Sequence, residues 1–92
     1  MNTVFFKDHA VIRMLERNIS KQEVIEILKS GEIIERYDDD MPYPSCLMFG
    51  MVSGKPLHVV VADNISESQK IIITVYNPDS SNFGNDFKSR IA

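Results

Sequence analysis

Three basic side chains recur every four residues near the start of the chain, at His9, Arg13 and Arg17. On a helix, residues spaced i, i+4 and i+8 lie along one side, each about 6 Å from the next. An imidazole beside two guanidinium groups is suited to holding phosphate or another anion. The spacing therefore predicts an anion-binding row. The alternative is a solvated helix face on which the arginines pair with Glu16 or with other acids.

A second candidate for proton chemistry is the pair His58 and Tyr76, which fall in two predicted strands. Strand alternation places His58 on the face opposite Val59, and it predicts that Tyr76 shares its face with Ile72 and Thr74. If the two strands pair, the imidazole and the phenol come close enough to take part in proton transfer. The alternative is a hydrogen-bonded pair at the edge of the core.

Other reactive residue types give weaker signals. The run Asp38, Asp39 and Asp40 lacks the spaced ligands of a calcium loop and indicates a solvated acidic loop. Cys46 begins an apolar strand and is expected to be buried and inert. The chain has no Cys/His cluster with zinc spacing. We therefore expect neither a metal site nor a cofactor, while Lys88 near the end of the chain could extend a basic patch.

Two predicted helices position the basic row. The first begins at Asp8, a suitable N-cap, and ends near Asn18, which tolerates the left-handed conformation found at helix ends. The second begins with Ser20 followed three residues later by Glu23, the pattern of a capping box. Gly31 is expected to end this second helix.

Four strands are predicted after the helices, at residues 32–37, 45–52, 55–62 and 70–76. Ser53 and Gly54 mark a tight reversal between the second and third of them. Short reversals favour an antiparallel sheet, and one apolar face of that sheet needs the two helices as cover. The expected fold is α+β, with two N-terminal helices on a four-stranded antiparallel sheet in a two-layer sandwich. Residues 4–6 are also β-prone and compatible with a short opening strand.

Composition limits the remaining possibilities. The chain has 92 residues, which favours a single domain over residues 1–92, with 80–92 expected to form a mobile tail. Its net charge of −3 gives no support to nucleic-acid binding. A single cysteine fits a reducing cytoplasm, and the apolar runs are too short to span a membrane. The modest core expected at this size makes a homodimer plausible.

The chain also resembles a known bacterial and archaeal family. Three stretches carry the resemblance: His9-Ala10 with Arg13-Met14 and the ERNIS sequence at 16–20, then GEIIE at 31–35 with YPS at 43–45, then KPLHVVVA at 55–62 with ITVYNPD at 73–79. Together they are similar to the family named domain of unknown function 4258, which usually has Gly where this chain has Asn18. The resemblance covers nearly the whole chain and implies no assigned activity.

The order of elements is also similar to that of the small ribonuclease toxins of the RelE and BrnT kind. That similarity implies shared acid/base work for His9 and His58, an orienting role for Tyr76, and RNA contacts for Arg13, Arg17 and Lys88. It further implies RNA or a small antitoxin-like protein as partner. The acidic net charge counts against it, because phosphate contacts dominate RNA affinity. An uncharacterised family member with no assigned activity therefore ranks first, and a toxin-like ribonuclease second. The non-catalytic hypothesis for the first is a binding or accessory module, with the basic row as its docking surface.

Overall fold

Two helices and five strands follow one another along residues 3–78, the part of the chain that the computed structural model describes. Their order is β1 (Thr3–Phe6), α1 (Asp8–Arg17), α2 (Lys21–Ser30), β2 (Glu32–Tyr37), β3 (Ser45–Val52), β4 (Lys55–Asn64), a short 3-10 turn (Ile65–Glu67) and β5 (Gln69–Tyr76). The predicted α+β class with two N-terminal helices is confirmed. The tail predicted at 80–92 lies outside the described residues.

The sheet has five strands in the order β1-β5-β4-β3-β2, and it is mixed. Strands β2 to β5 pair antiparallel, as expected, whereas β1 pairs parallel to β5 from Thr3 opposite Gln69 to Phe6 opposite Ile72. The prediction of a four-stranded, fully antiparallel sheet is therefore wrong. Without β1, the backbone groups along one side of β5 would form an open edge. Because β1 and β5 are far apart in the chain, no hairpin turn imposes antiparallel pairing on them.

Helix α1 begins differently from the prediction and ends as predicted. Lys7 occupies the N-cap position without a side-chain cap, and Asp8 is the first helical residue. There the negative charge still favours the positive end of the helix dipole. Asn18 ends the helix with φ 56° and ψ 45°, the left-handed conformation expected of it. Ala10 and Met14 are buried, and the helix lies against β5.

Helix α2 is stabilised by the predicted capping box. The backbone N–H of Ser20 donates to Glu23 Oε1 at 2.8 Å, and the N–H of Glu23 donates to Ser20 Oγ at 3.1 Å. Gly31 ends the helix with an extended φ of −74°, so a left-handed conformation does not explain the glycine. The glycine is explained by the lack of space for a side chain, because a Cβ here would lie 2.7 Å from the carbonyl oxygen of Ile27 and 2.8 Å from that of Phe49.

The β3–β4 hairpin turns at Ser53 and Gly54, which have φ of 53° and 78°. Two consecutive positive φ values are typical of the tight turns that match the twist of a hairpin. The core between helices and sheet comprises Ala10, Met14, Val24, Ile27, Met48, Leu57, Val59, Val61, Ile72 and Val75. Both helices therefore lie on the same face of the sheet.

An irregularity in β5 changes which residues share a face. Thr74 pairs with Val60, but Ile72 pairs with Val61, so Ile73 is an extra residue on β5. Such a bulge interrupts the alternation of side chains. Ile72 consequently lies in the core beneath the helices, and the expectation that it shares a face with Tyr76 is wrong.

Candidate functional site

The basic row lies on α1 as predicted, but its three members differ in their surroundings. His9 and Arg17 are exposed and Arg13 is half-buried. Arg13 Nη1 lies 3.8 Å from Glu16 Oε1, an ion pair on the solvated side of the helix. Within residues 3–78, Arg17 makes no salt bridge. Among the described residues, the solvated-face interpretation with an ion pair thus describes Arg13, while Arg17 is exposed at the end of the helix.

Arg17 faces a cleft of about 730 Å³ between the α1–α2 turn and the β3–β4 hairpin, which we call the helix–hairpin cleft. Its polar lining comprises Arg17, Asn18, Ser20, Gln22, Glu23, Glu26, Ser53, Lys55 and Asn77. Asn77 is held in place because its Nδ2 donates to the carbonyl oxygen of Pro56 at 2.9 Å. Sequence reasoning found Arg17 and missed Lys55, which approaches only because the hairpin folds toward the helix turn.

The helix–hairpin cleft is lined by two cationic and two acidic side chains. Arg17 comes from α1 and Lys55 from the start of β4, and in residues 3–78 neither forms a salt bridge. The hydrogen bond from the Ser20 backbone is the main reason that the pKa of Glu23 lies below its usual value. Burial opposes this shift, while hydrogen bonds from the Ser53 and Ser20 side chains and the charge of Lys55 add smaller contributions that lower the pKa further. Glu23 is thus ionised at neutral pH and occupied by the helix cap, which leaves Glu26 as the other carboxylate of the cleft.

His58 and Tyr76 do meet, as predicted from the pairing of their strands. His58 Nδ1 lies 3.2 Å from Tyr76 Oη, and the ring of Phe49 packs edge-on against the imidazole at 5.8 Å. His58 is fully buried. Because its neighbour Val59 points into the core beneath the helices, His58 must lie on the opposite face of the sheet.

The sheet therefore stands between the two groups of predicted site residues. His9, Arg13 and Arg17 lie on α1, above one face, whereas His58 and Tyr76 lie on the other face. The five side chains do not converge in one cleft. Lys88, the sixth predicted site residue, lies outside the described residues.

A second cavity, of about 410 Å³, lies on the helix side of the sheet beyond the end of α2, and we call it the apolar pocket. Its apolar lining comprises Leu28, Ile33, Pro44, Cys46, Met48, Val61 and Ile65, and its polar lining Arg36, Asp38, Ser45, Asp63 and Lys70. Cys46 was expected to be buried but is half-buried. Partial burial raises the pKa of its thiol, against the opposing effect of Arg36 and Lys70.

The sequence carries one signal for the apolar pocket, which is the apolar pair Cys46 and Met48 in β3. Cys46 and Met48 are two positions apart in β3, so their side chains lie on the same face of the sheet. They pair with Val61 and Val59 of β4, and the four side chains form a continuous apolar strip. Helix α2 has only ten residues, and Leu28 near its end lines the pocket together with this strip. Within residues 3–78 no three His, Cys, Asp or Glu side chains are grouped so that they could hold a metal ion.

Neither helix of residues 3–78 combines the length and the apolar character needed to cross a membrane.

No curated protein matches the chain, and no solved structure matches it. The family described as domain of unknown function (DUF4258) matches residues 6–77, which include both helices, four complete strands and the helix–hairpin cleft. The chain belongs to this family, whose molecular function is unassigned.

Proposed function

We propose that the protein is a non-catalytic binding module whose helix–hairpin cleft takes a small polar ligand with an anionic group. One observation carries the proposal: Arg17 and Lys55 face the same cleft, and within residues 3–78 neither forms a salt bridge. A guanidinium group binds phosphate or carboxylate through two parallel hydrogen bonds, and an ammonium group adds a second point of charge. Asn18 and Ser53 supply further hydrogen-bonding groups in the same lining.

The size and charge of the cleft favour a small ligand over a nucleic acid. A volume of about 730 Å³ falls within the range of small-molecule sites, about 300–1,000 Å³. Glu26 lines the same cleft and would repel a long polyanion, and the net charge of −3 acts in the same direction. A ligand that carries hydroxyl or amino groups beside its anionic group would complement Glu26 as well as the two cations.

The placement of the histidines favours binding over RNA cleavage. A general acid and a general base must both reach the same reacting group, within hydrogen-bonding distance or through one water. His9 is exposed on α1, whereas His58 is buried on the other face of the sheet. The acid/base roles of His9, His58 and Tyr76, and RNA contacts by Arg13, stay predictions for which the geometry offers no shared site.

The proposal is tested by titrating the ¹⁵N-labelled protein with pyrophosphate and with citrate. We expect amide shifts confined to the α1–α2 turn and the hairpin. In the Arg17→Gln/Lys55→Gln variant, affinity should fall by about a hundredfold or more, because the variant loses two charge-assisted hydrogen bonds that contribute about 1.5–3 kcal/mol each. Lys29→Gln is the matched control, since Lys29 is exposed on α2 and does not line the cleft.

Two outcomes would contradict this function. If the amide shifts and the affinity for the anion were the same in the wild type and the double variant, the cleft would not be the binding site. RNA cleavage by the wild type that is lost in His9→Ala would favour the ribonuclease instead, and His9 is exposed enough for that variant to keep the fold.

A further inference from the structure

We infer that the apolar pocket is a second binding site, separate from the helix–hairpin cleft, for an amphiphilic anion: a short hydrocarbon chain ending in a carboxylate. This inference is independent of the proposed function of the cleft, since no residue lines both cavities.

The pocket has the floor and walls that such a chain needs. Cys46 and Val61 pair across β3 and β4, and Ile33 pairs with Met48 across β2 and β3, so these side chains form one surface. At its margins Ile33 is 41% exposed and Ile65 is 75% exposed. Covering apolar surface of this kind is favourable by about 25 cal/mol per Å², which is the main driving force available to a hydrocarbon ligand.

The composition of the pocket matches that of small-molecule sites. Such sites are lined mainly by apolar side chains, with a few polar groups that orient the ligand. A volume of about 410 Å³ lies near the lower end of the usual range, about 300–1,000 Å³, and so favours a short chain over a long one.

Charge selects the end group of the ligand. Lys70 Nζ lies 2.9 Å from Asp63 Oδ2, so these two charges largely compensate each other. Arg36 pairs in register with Cys46, beside the floor of the pocket, and within residues 3–78 it makes no salt bridge. Asp38 follows Arg36 by two positions and also lines the pocket, but it is exposed, and within residues 3–78 it forms no salt bridge with Arg36. A carboxylate at Arg36 is thus the complementary end group, and the chain would extend toward Met48 and Ile65.

The single cysteine makes the pocket testable by chemical modification. Cys46 is the only cysteine in the protein and lines the pocket, so the rate of its alkylation by iodoacetamide reports on this cavity alone. The quantity compared is the ratio of rates without and with an amphiphile, measured below the concentration at which micelles form. Using the ratio within each variant removes any effect of the substitution on the thiol itself.

We expect decanoate to slow the alkylation of Cys46 more than decanol or decyltrimethylammonium, which share its chain and differ in charge. In Arg36→Gln, the concentration of decanoate needed for half-protection should rise about tenfold, to that of decanol. Arg17→Gln is the matched control, because it removes a guanidinium group from the other cavity and should leave protection unchanged.

Equal protection by all three amphiphiles would overturn the inference, because it would show adsorption without recognition of charge. No protection by decanoate, or protection that Arg36→Gln leaves unchanged, would overturn it as well. Arg36 is exposed, so its replacement should preserve the fold, and a thermal melt of the variant checks this directly. None of these outcomes depends on whether pyrophosphate binds at Arg17 and Lys55.

Discussion

Glu23 is the residue in which local folding and the candidate cleft meet. Its carboxylate accepts the backbone N–H of Ser20 at the start of α2, and it also lines the helix–hairpin cleft. The bond to Ser20 is stronger when the carboxyl group is ionised, and for that reason the pKa of Glu23 is lowered in the folded protein. The cap consequently couples the stability of α2 to pH.

Removing the charge of Glu23 should flatten the acid side of the stability curve. Because the folded pKa lies below the usual value of 4.5, the carboxylate stabilises the protein fully above that pH, and the contribution is lost as pH falls through the folded pKa. Gln can still complete a capping box, so Glu23→Gln should cost only about 0.3–1 kcal/mol at pH 7, toward the lower value because solvent screens the group.

The measurement is urea unfolding of the wild type and Glu23→Gln between pH 7 and pH 3. The difference in free energy of unfolding should shrink as the pH falls below 4.5. A difference that stays constant over this range would mean that the ionised carboxylate contributes nothing to folding.

At the same scale, residue types predicted the candidate site only in part. The spacing of His9, Arg13 and Arg17 correctly placed them along one helix, and the pairing of two strands correctly brought His58 to Tyr76. Neither pattern carries information on which face of the sheet α1 covers. The relation between the two groups was therefore beyond prediction from residue types.

Among the elements, α2 is positioned by contacts that tolerate no added atoms. Gly31 ends the helix where a Cβ would lie within 3 Å of the carbonyl oxygens of Ile27 and Phe49. These oxygens belong to the end of α2 and to β3, so neither can move without displacing an entire element. The glycine fixes how closely the helix end approaches the sheet.

Gly31→Ala should therefore destabilise the protein by about 1–3 kcal/mol, the usual cost of forcing an extra carbon into a packed site. Thermal or urea unfolding gives the value. Lys29→Ala, two residues earlier and exposed, is the control and should change stability by no more than about 0.5 kcal/mol. If Gly31→Ala changed stability as little as Lys29→Ala, the end of α2 would not lie as close to β3 as these distances require.

Local signals were sufficient for most element boundaries. The bounds of β2 and β3 agree with the sequence prediction, and the capping box places the start of α2. Helix caps and tight turns involve residues within four positions of each other, so they can be predicted from the local sequence. The bulge at Ile73 depends instead on the register between two strands, and no local pattern revealed it.

At the scale of the whole molecule, β4 is the central strand of the sheet. It pairs with β3 on one side and with β5 on the other, and its Leu57, Val59 and Val61 all lie in the core. Strands β1 and β2 form the two edges of the sheet. Local stability should thus decrease from the middle of the sheet toward both edges.

Native-state hydrogen exchange followed by NMR tests this order. The slowest amides should belong to residues 57–62 of β4, at least about tenfold slower than the slowest amides of β2, because opening β4 requires separation of both neighbours. Amides of β2 that point away from β3 provide an internal reference for free exchange. Equal protection of β2 and β4 would indicate that the sheet opens only as one unit.

The sequence by itself determined the two helices, three of their four ends, the β3–β4 hairpin and the antiparallel part of the sheet, because each depends on interactions between residues close in the chain. Only the tertiary structure decided that β1 joins β5 in parallel, that the sheet separates α1 from His58, and that Lys55 comes to the same cleft as Arg17. Those features depend on packing between distant segments, in which many weak contacts are satisfied together and no single residue pattern is decisive.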